Sequence, residues 1–576
     1  MGSYDLTRLR LPVLSGPALR AFARLATSRV TGEPIIKQLL AAAGVPKLQG
    51  AQLDVPPTFM PLVRPREGER DMHEGASDAS PASSVSDVLS ARDFVRAYTE
   101  GRASPQEVAE SLLQAIAADA SASPPLRVML AHDPQDLRAQ ARDAAARYRN
   151  GGARGPLDGV PVVIKDELHV AGYPTSVGTA FLGREPASQD ATVVARLREA
   201  GALLVGKANM YEIGVSPESH NMHHGTVRNP YNRARQAGGS SSGPAAAVAA
   251  GLCPLAIGAD GGGSIRVPAA MCGVVGLKAT YGRFSEHGAA PLCWSLAHVG
   301  PIGATVQDVA LAYRIAAGPD ELDPTTLAQP PVALGHHADG DLRGVRLGVF
   351  RPWFEHAETE IVTRCDELVA GFEASGATVQ VIEIPGLDLM RIAHGITILS
   401  EIAAAMQPHA GSFRSHAPAV QVNLALGRSF GARDYIRAQQ VRTLAMRTFA
   451  AIFEQVDAVI TPTTAVTAPV IRRGATPTGW SDMGSVTEIM RFVVPANLAG
   501  LPAISFPAGY TEAGLPIGMQ AMARHWNEAL LLRIACAAEQ QVERRVPGDY
   551  QRLIQPSAAL AAAGNIQLQS AALGAD

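Results

Sequence analysis

Three residues of this 576-residue chain combine side-chain type and setting in a way that suits nucleophilic chemistry: Lys165, Ser240 and Ser264. Ser264 lies in the run Asp260-Gly261-Gly262-Gly263-Ser264-Ile265-Arg266, which follows the apolar stretch Pro254 to Ile257 and precedes a predicted helix. Glycines carry no Cβ, so the successive N–H groups of Gly261, Gly262, Gly263 and Ser264 are free to converge on one point. Donors arranged in that way stabilise the negative oxygen of a tetrahedral intermediate, and losing one side-chain donor in known cases costs about 3 kcal/mol. Glycine-rich turns before helices also bind phosphate. A P-loop, however, carries Lys-Ser or Lys-Thr after its glycines, and this loop does not.

A nucleophilic serine needs a base, and no histidine of the chain stands in a recognisable catalytic motif. Lys165 closes the apolar segment Val160 to Ile164. Burial there disfavours an ammonium and makes a neutral amine accessible. Taken singly, a lysine at a strand end is usually structural. Ser240 lies in Ala237-Gly238-Gly239-Ser240-Ser241-Ser242-Gly243, which in isolation reads as a flexible loop. Its hydroxyl can donate and accept at once, as a proton relay requires.

The segments GPLDGVPVVIKDEL, AGGSSSGPAAAVAAG and GADGGGSIRVPAAMCGVVGLKATYGR occur in that order and together resemble the amidase signature family. The resemblance implies an α/β fold, a large twisted mixed β-sheet surrounded by α-helices, and hydrolysis of amide C–N bonds without metal or cofactor. It implies a Ser-Ser-Lys triad: Ser264 attacks, Ser240 relays the proton from a cis peptide after Gly239, and Lys165 is the base. The N–H groups of Gly261, Gly262, Gly263 and Ser264 then form the oxyanion hole, an acyl-enzyme forms, and water releases the acid. Ser241, Asp260 and Arg266 are implied to fix the active loops, although Arg266 reads equally well as a surface ion pair worth under about 1 kcal/mol. Two positions depart from the family pattern: Ala259 stands where many members have threonine, and Ser242 where glycine usually follows GGSS.

ARDYIRAQQVR, VDAVITPTTAVTAPVI, MRFVVPANLAGLPAISFPAGY and GLPIGMQAMARHWNEA extend the likeness over nearly the whole chain, toward the plant-type fatty acid amide hydrolase branch. That branch implies fatty acyl amides such as N-acylethanolamines as substrates, a homodimer, and N-terminal helices beside a membrane-facing substrate entrance. Met490, Phe492, Val493 and Ile398 are candidates for an acyl channel, or plain core. Alternatives are an aryl-amide, anilide or carbamate amidase, the glutaminase component of a tRNA-dependent amidotransferase, and a membrane-surface binding protein that has lost its chemistry.

The elements that position these residues are legible in outline. GVPVVIK, GALLVGK, CPLAIGAD, VRLGVF, ATVQVIEI, DAVITP and PAISFPAGY are β-branched runs alternating with helical segments. Leu19, Phe22, Ala26 and Val30, then Ile35, Ile36, Leu39 and Leu40, form two apolar stripes that predict a helix pair. Arg8, Arg10, Arg20, Arg24, Arg29, Lys37 and Lys47 make residues 1–50 basic, so the pair suits an anionic membrane surface as well as packing on the catalytic domain. Residues 51–86 read as a linker or extended arm, 87–555 as the catalytic domain and 556–576 as an alanine-rich tail. A composition of 47% hydrophobic and 18% charged residues excludes a disordered chain. A net charge of −3 argues against a nucleic-acid partner. The five cysteines, without CxxC or histidine spacing, read as free thiols rather than metal ligands. With no signal-peptide pattern at the N-terminus, the expected location is cytoplasmic or at the membrane periphery.

Overall fold

The computed structural model describes residues 4–6, 9, 12–65, 88–335, 337–472, 474 and 477–554. The predicted tail and residues 66–86, as well as Arg8 and Arg10, lie outside them. At its centre is a mixed sheet of 11 strands with helices packed around it. In chain order these are β1 (Met129–Ala131), β2 (Pro161–Lys165), β3 (Leu203–Ala208), β4 (Leu255–Ala259), β5 (Val275–Lys278), β6 (Val299–Gly303), β7 (Arg346–Val349), β8 (Thr378–Val381), β9 (Ala458–Pro462), β10 (Ala503–Tyr510) and β11 (Pro516–Ala523). Across the sheet they run β8-β7-β9-β11-β10-β5-β6-β4-β2-β3-β1.

All seven β-branched runs form strands of this sheet. Each short strand is stabilised by burial more than by its own propensity. Val162, Val163 and Ile164 in β2 are fully buried, and such side chains contribute about 1.5–3 kcal/mol each. β2 lies parallel to β3 and β4 with Ile164 opposite Ile257, which brings the carboxyl ends of β2 and β4 side by side. Behind them sit two helices with every residue buried, α4 (Ser242–Ala249) and α5 (Arg266–Cys272). The loops entering these two helices carry the serine-rich and glycine-rich motifs.

At the N-terminus there are three helices rather than two: α1 (Gly16–Ala26), α2 (Gly32–Ala42) and α3 (Val45–Gly50). Leu19, Ala26 and Ile36 are buried as their stripes predict, but Val30 lies beyond the end of α1 and is 86% exposed. Past Ala26 the helical bonding tightens: the Ser28 amide donates to Leu25 O, and the Thr31 hydroxyl donates to the same carbonyl, which a longer helix would have offered to residue 29. α3 packs on α6 (Leu387–Ala405) and α7 (Ala432–Gln455). The arm that follows α3 is strapped along α7: Gln440 donates to Leu53 O and Val55 O, and the Thr58 amide donates to Gln439 O. No single helix among the described residues is long and apolar enough to cross a membrane.

Burial also sets an acid response. His220, His394 and His525 are each pushed down to about 4 by burial, while an unfolded histidine titrates near 6.5. Between those values the unfolded chain binds protons that the folded chain refuses, so this part of the stability falls as pH falls. His525→Gln, whose amide can still donate to Ala499 O as His525 Nε2 does, is expected to flatten the dependence. Urea midpoints from pH 6.5 to 4 should separate wild type from variant by up to about 1.4 kcal/mol per pH unit. Glu218 and Asp308, pushed up to about 7 by burial, act in the opposite sense in both proteins and cancel. Parallel curves would refute the assignment.

Candidate active site

Lys165, the last residue of β2, is 1% exposed. Its Nζ donates to Ser240 Oγ at 2.9 Å and to Ala259 O, at the end of β4, at 3.1 Å. It also lies 2.6 Å from Glu167 Oε2. The Gly239–Ser240 peptide is cis, and the Ser240 carbonyl accepts from Tyr211 N. Ser241 N donates to Ser264 O at 3.1 Å, tying the serine-rich loop to the glycine-rich one. The structure thus brings Lys165 and Ser240 into direct contact at the end of β2 and ties the Ser264 backbone to the adjoining Ser241.

The glycine loop is held from beneath by Asp260. Its Oδ1 accepts from Gly263 N at 2.6 Å and its Oδ2 from Ile265 N at 3.1 Å. Arg266 donates to the same carboxylate through Nε and Nη2, both at 3.0 Å. Both side chains are fully buried, which corrects the surface-ion-pair reading of Arg266. Burial opposes ionisation of Asp260, but the charge of Arg266 and its hydrogen bonds, with Lys278 and the Asn497 amide, outweigh it and hold the carboxyl far below the usual range. Arg266 also donates to Gln520 Oε1, Asn497 Oδ1 and Val493 O, so its donors are spread over three neighbouring segments.

One expected oxyanion donor is corrected. The Gly263 amide is engaged by Asp260, a charged acceptor that outcompetes a transient ligand. The N–H groups of Gly261, Gly262 and Ser264 have no protein acceptor among the described residues, and Gly262 and Ser264 line the cavity described below. Gly263 is instead required for shape: its φ is +107°, and a Cβ there would lie 2.5 Å from Val493 Cγ2.

The two positions that depart from the family pattern differ in their surroundings. At Ala259, the backbone N–H and C=O are both bonded to Ser241 Oγ, at 3.3 and 3.2 Å. The Ser242 hydroxyl is buried without a partner among the described residues.

Ser264, 7% exposed, opens onto a cavity of about 250 Å³. From Ser264 and Gly262 the wall runs past Met490 and Ile398 to Phe22 and Leu39 on the N-terminal helices. Phe492 and Val493, the other channel candidates, are core residues: Phe492 packs on Trp353 and Val493 backs the glycine loop. A polar strip of Tyr211, Ser216, Glu218 and Trp480 lies on the same wall, with Trp480 Nε1 donating to Glu218 Oε1 at 2.5 Å. Asn497, Gln520, Glu167 and His394 were not singled out from the sequence. Asn497 and Gln520 do lie in the quoted motifs VPANLAG and IGMQAM. Among the described residues no group of His, Cys, Asp and Glu is arranged to hold a metal ion.

A buried lysine bonded to a serine, beside a serine whose amide belongs to a set of open N–H donors, is the equipment of an acyl-transfer hydrolase without a catalytic histidine. Comparison with known proteins gives the class a family: the Amidase profile matches residues 107–532, and the chain belongs to the amidase (amidase signature) family. It is 36% identical over 569 residues to the fatty acid amide hydrolase of Medicago truncatula, covering 93% of this chain and 94% of that protein. It is 37% identical over 477 residues to a glutamyl-tRNA(Gln) amidotransferase component of Symbiobacterium thermophilum, covering 78% and 96%. Among solved structures, native peptide amidase from Stenotrophomonas maltophilia superposes with a TM-score of 0.69 at 30% identity, covering 80% of this chain and 98% of that one. The protein is an amide-cleaving hydrolase.

Asp260→Ala leaves the Arg266 guanidinium buried without its counter-charge. It is expected to destabilise the fold by roughly 3–5 kcal/mol, read from urea unfolding. A loss under about 1 kcal/mol would show that the pair does not hold the loop.

Proposed function

We propose that this amidase hydrolyses fatty acyl amides, N-acylethanolamines among them, through an acyl-enzyme on Ser264. The observation that carries the reading is the cavity, whose mostly apolar wall, partly supplied by the N-terminal helices, ends at Ser264. An acyl chain would lie along the apolar side, with the amide carbonyl over Ser264 and the amine toward the polar strip.

In the first half-reaction Lys165, as the amine, takes a proton from Ser240, and Ser240 takes one from Ser264. The Ser264 oxygen bonds to the carbonyl carbon, and the developing oxyanion accepts from Gly261, Gly262 and Ser264 N–H. The relay reverses: the nitrogen receives a proton, the C–N bond breaks and the amine leaves. Water then adds to the ester, passing its proton through the same relay, and the C–O bond to Ser264 breaks to give the acid. Each step is neutral in protons overall, so the relay returns to its starting state.

Likeness to plant fatty acid amide hydrolases along 93% of the chain supports this substrate class over a transferred-ammonia role; the amidotransferase component matches 78% of the chain. The panel that decides is oleoyl ethanolamide, a short aliphatic amide, an aryl anilide and a carbamate. Oleoyl ethanolamide is expected to have the highest kcat/KM. Ser264→Ala should lower kcat by roughly 10³-fold or more, and adding Lys165→Ala and Ser240→Ala should cost little more, because the three act as a unit. Preference for the anilide or carbamate would overturn the substrate class, and an active Ser264→Ala would overturn the mechanism.

The same reading places the enzyme in the cytoplasm or on the membrane periphery, as a homodimer, with α1 and α2 toward lipid. Arg20 and Arg24 are exposed on α1, and Leu25 beside them is 50% exposed. Replacing both arginines by glutamate should weaken binding to phosphatidylserine-containing vesicles at least tenfold, since each basic residue near an anionic surface contributes about 1 kcal/mol. Unchanged binding would remove the membrane role.

A further inference from the structure

We propose that His394 is a positioning residue of the oxyanion hole: it fixes the Gly261–Gly262 peptide so that the Gly262 N–H faces the reacting carbonyl. His394 lies in the middle of α6, is 2% exposed and lines the cavity together with Gly262 and Ser264. Its Nε2 is 2.8 Å from Gly261 O. A carbonyl oxygen only accepts, so Nε2 carries the proton. Burial keeps the ring neutral, down to about 4, so this tautomer persists at neutral pH.

The geometry follows from the peptide unit. Gly261 O and Gly262 N–H belong to one planar trans peptide and point in opposite directions. Anchoring the oxygen on α6 therefore sends the N–H to the other side of the loop. Without an anchor, a Gly-Gly peptide can rotate as a unit through small compensating changes in the flanking dihedrals. The next peptide is fixed separately, by Gly263 N on Asp260 Oδ1. The contact also explains why residue 262 is glycine although its φ does not demand one: a Cβ there would lie 2.7 Å from His394 Cε1.

The inference rests on Ser264 as nucleophile. Four variants test it: Ser264→Ala, His394→Leu, His394→Asn and His394→Gln. The Gln amide reaches the place of Nε2, whereas the Asn amide stops one methylene short, so the two differ in reach and little in polarity. kcat and KM on oleoyl ethanolamide are measured beside the affinity of two ligands. One is an oleoyl trifluoromethyl ketone, to whose carbonyl carbon Ser264 adds, placing negative charge on the oxygen. The other is the matching secondary alcohol, which cannot add.

The Leu and Asn variants should lose about 10- to 100-fold in kcat, less than the 10²–10³ for deleting a donor outright, with KM within threefold. Their ketone affinity should fall in parallel and their alcohol affinity stay unchanged, and Gln should recover most of both losses. Unchanged kcat in Leu and Asn, or equal weakening of ketone and alcohol, or a Gln variant no better than Asn, would each overturn the inference. Should the Leu variant fail to fold, the Asn–Gln contrast decides alone. If Ser264→Ala keeps its activity, the reading of the site fails and this inference with it; if only that variant is inactive, His394 alone is reassigned.

Discussion

The site depends on one buried ion pair, Asp260 with Arg266. Two charges in a dry interior attract strongly but are costly to desolvate, and they persist only when their remaining hydrogen-bonding capacity is met. Here the protein meets it with loop amides, Asn497 and Gln520, so a single carboxylate binds the glycine loop to α5 and, through Arg266, to the β11 strand. The loop's shape is thereby set before any substrate arrives. Preorganised donors pay no reorganisation cost as charge develops on the carbonyl oxygen, which is why such sites accelerate acyl transfer.

A second constraint comes from the opposite wall. α6 contributes His394 to the glycine loop, Ile398 to the cavity and Asp388 to an ion pair with Lys47 at 2.7 Å. The N-terminal helices are thus joined to the same helix that holds the Gly261 carbonyl. The cavity is lined by parts of the chain far apart in sequence, with Phe22, Leu39, Leu40, Ala43 and Val45 of the N-terminal helices adding to its apolar wall.

Much of this was legible in the sequence. Lys165, Ser240 and Ser264 stand where strand ends and glycine runs place them, and the seven β-branched runs all became strands. Four strands of the central sheet are not legible as such. β6 (VGPIG) and β11 (PIGMQAMA) contain glycine, proline, glutamine or methionine and have weak intrinsic preference; they are strands because they are buried between others. β5 was hidden inside the GLKATYGR motif and β1 has only three residues. Spacing alone puts Val30 on a helix face, but Leu25 O is taken by the Ser28 amide and the Thr31 hydroxyl, and the helix closes before it. The direction of each glycine amide cannot be read from glycine content, so the sequence offers Gly263 as a donor although Asp260 holds its N–H. His394 gave no signal because its neighbours Ile392 and Ile396 read as an ordinary apolar helix face and its partner is 133 residues away.

The central claim is that the Lys165–Ser240 contact makes Ser264 a nucleophile that becomes acylated. Its most direct test is to quench the enzyme during steady-state turnover of oleoyl ethanolamide at low pH and map any acyl group by peptide mass spectrometry, in wild type and in Lys165→Ala. The account predicts an oleoyl ester on Ser264 in the wild type, sensitive to hydroxylamine, and its absence over the same interval in the lysine variant. An acyl group on any other residue, or equally rapid acylation of Ser264 without Lys165, would contradict it.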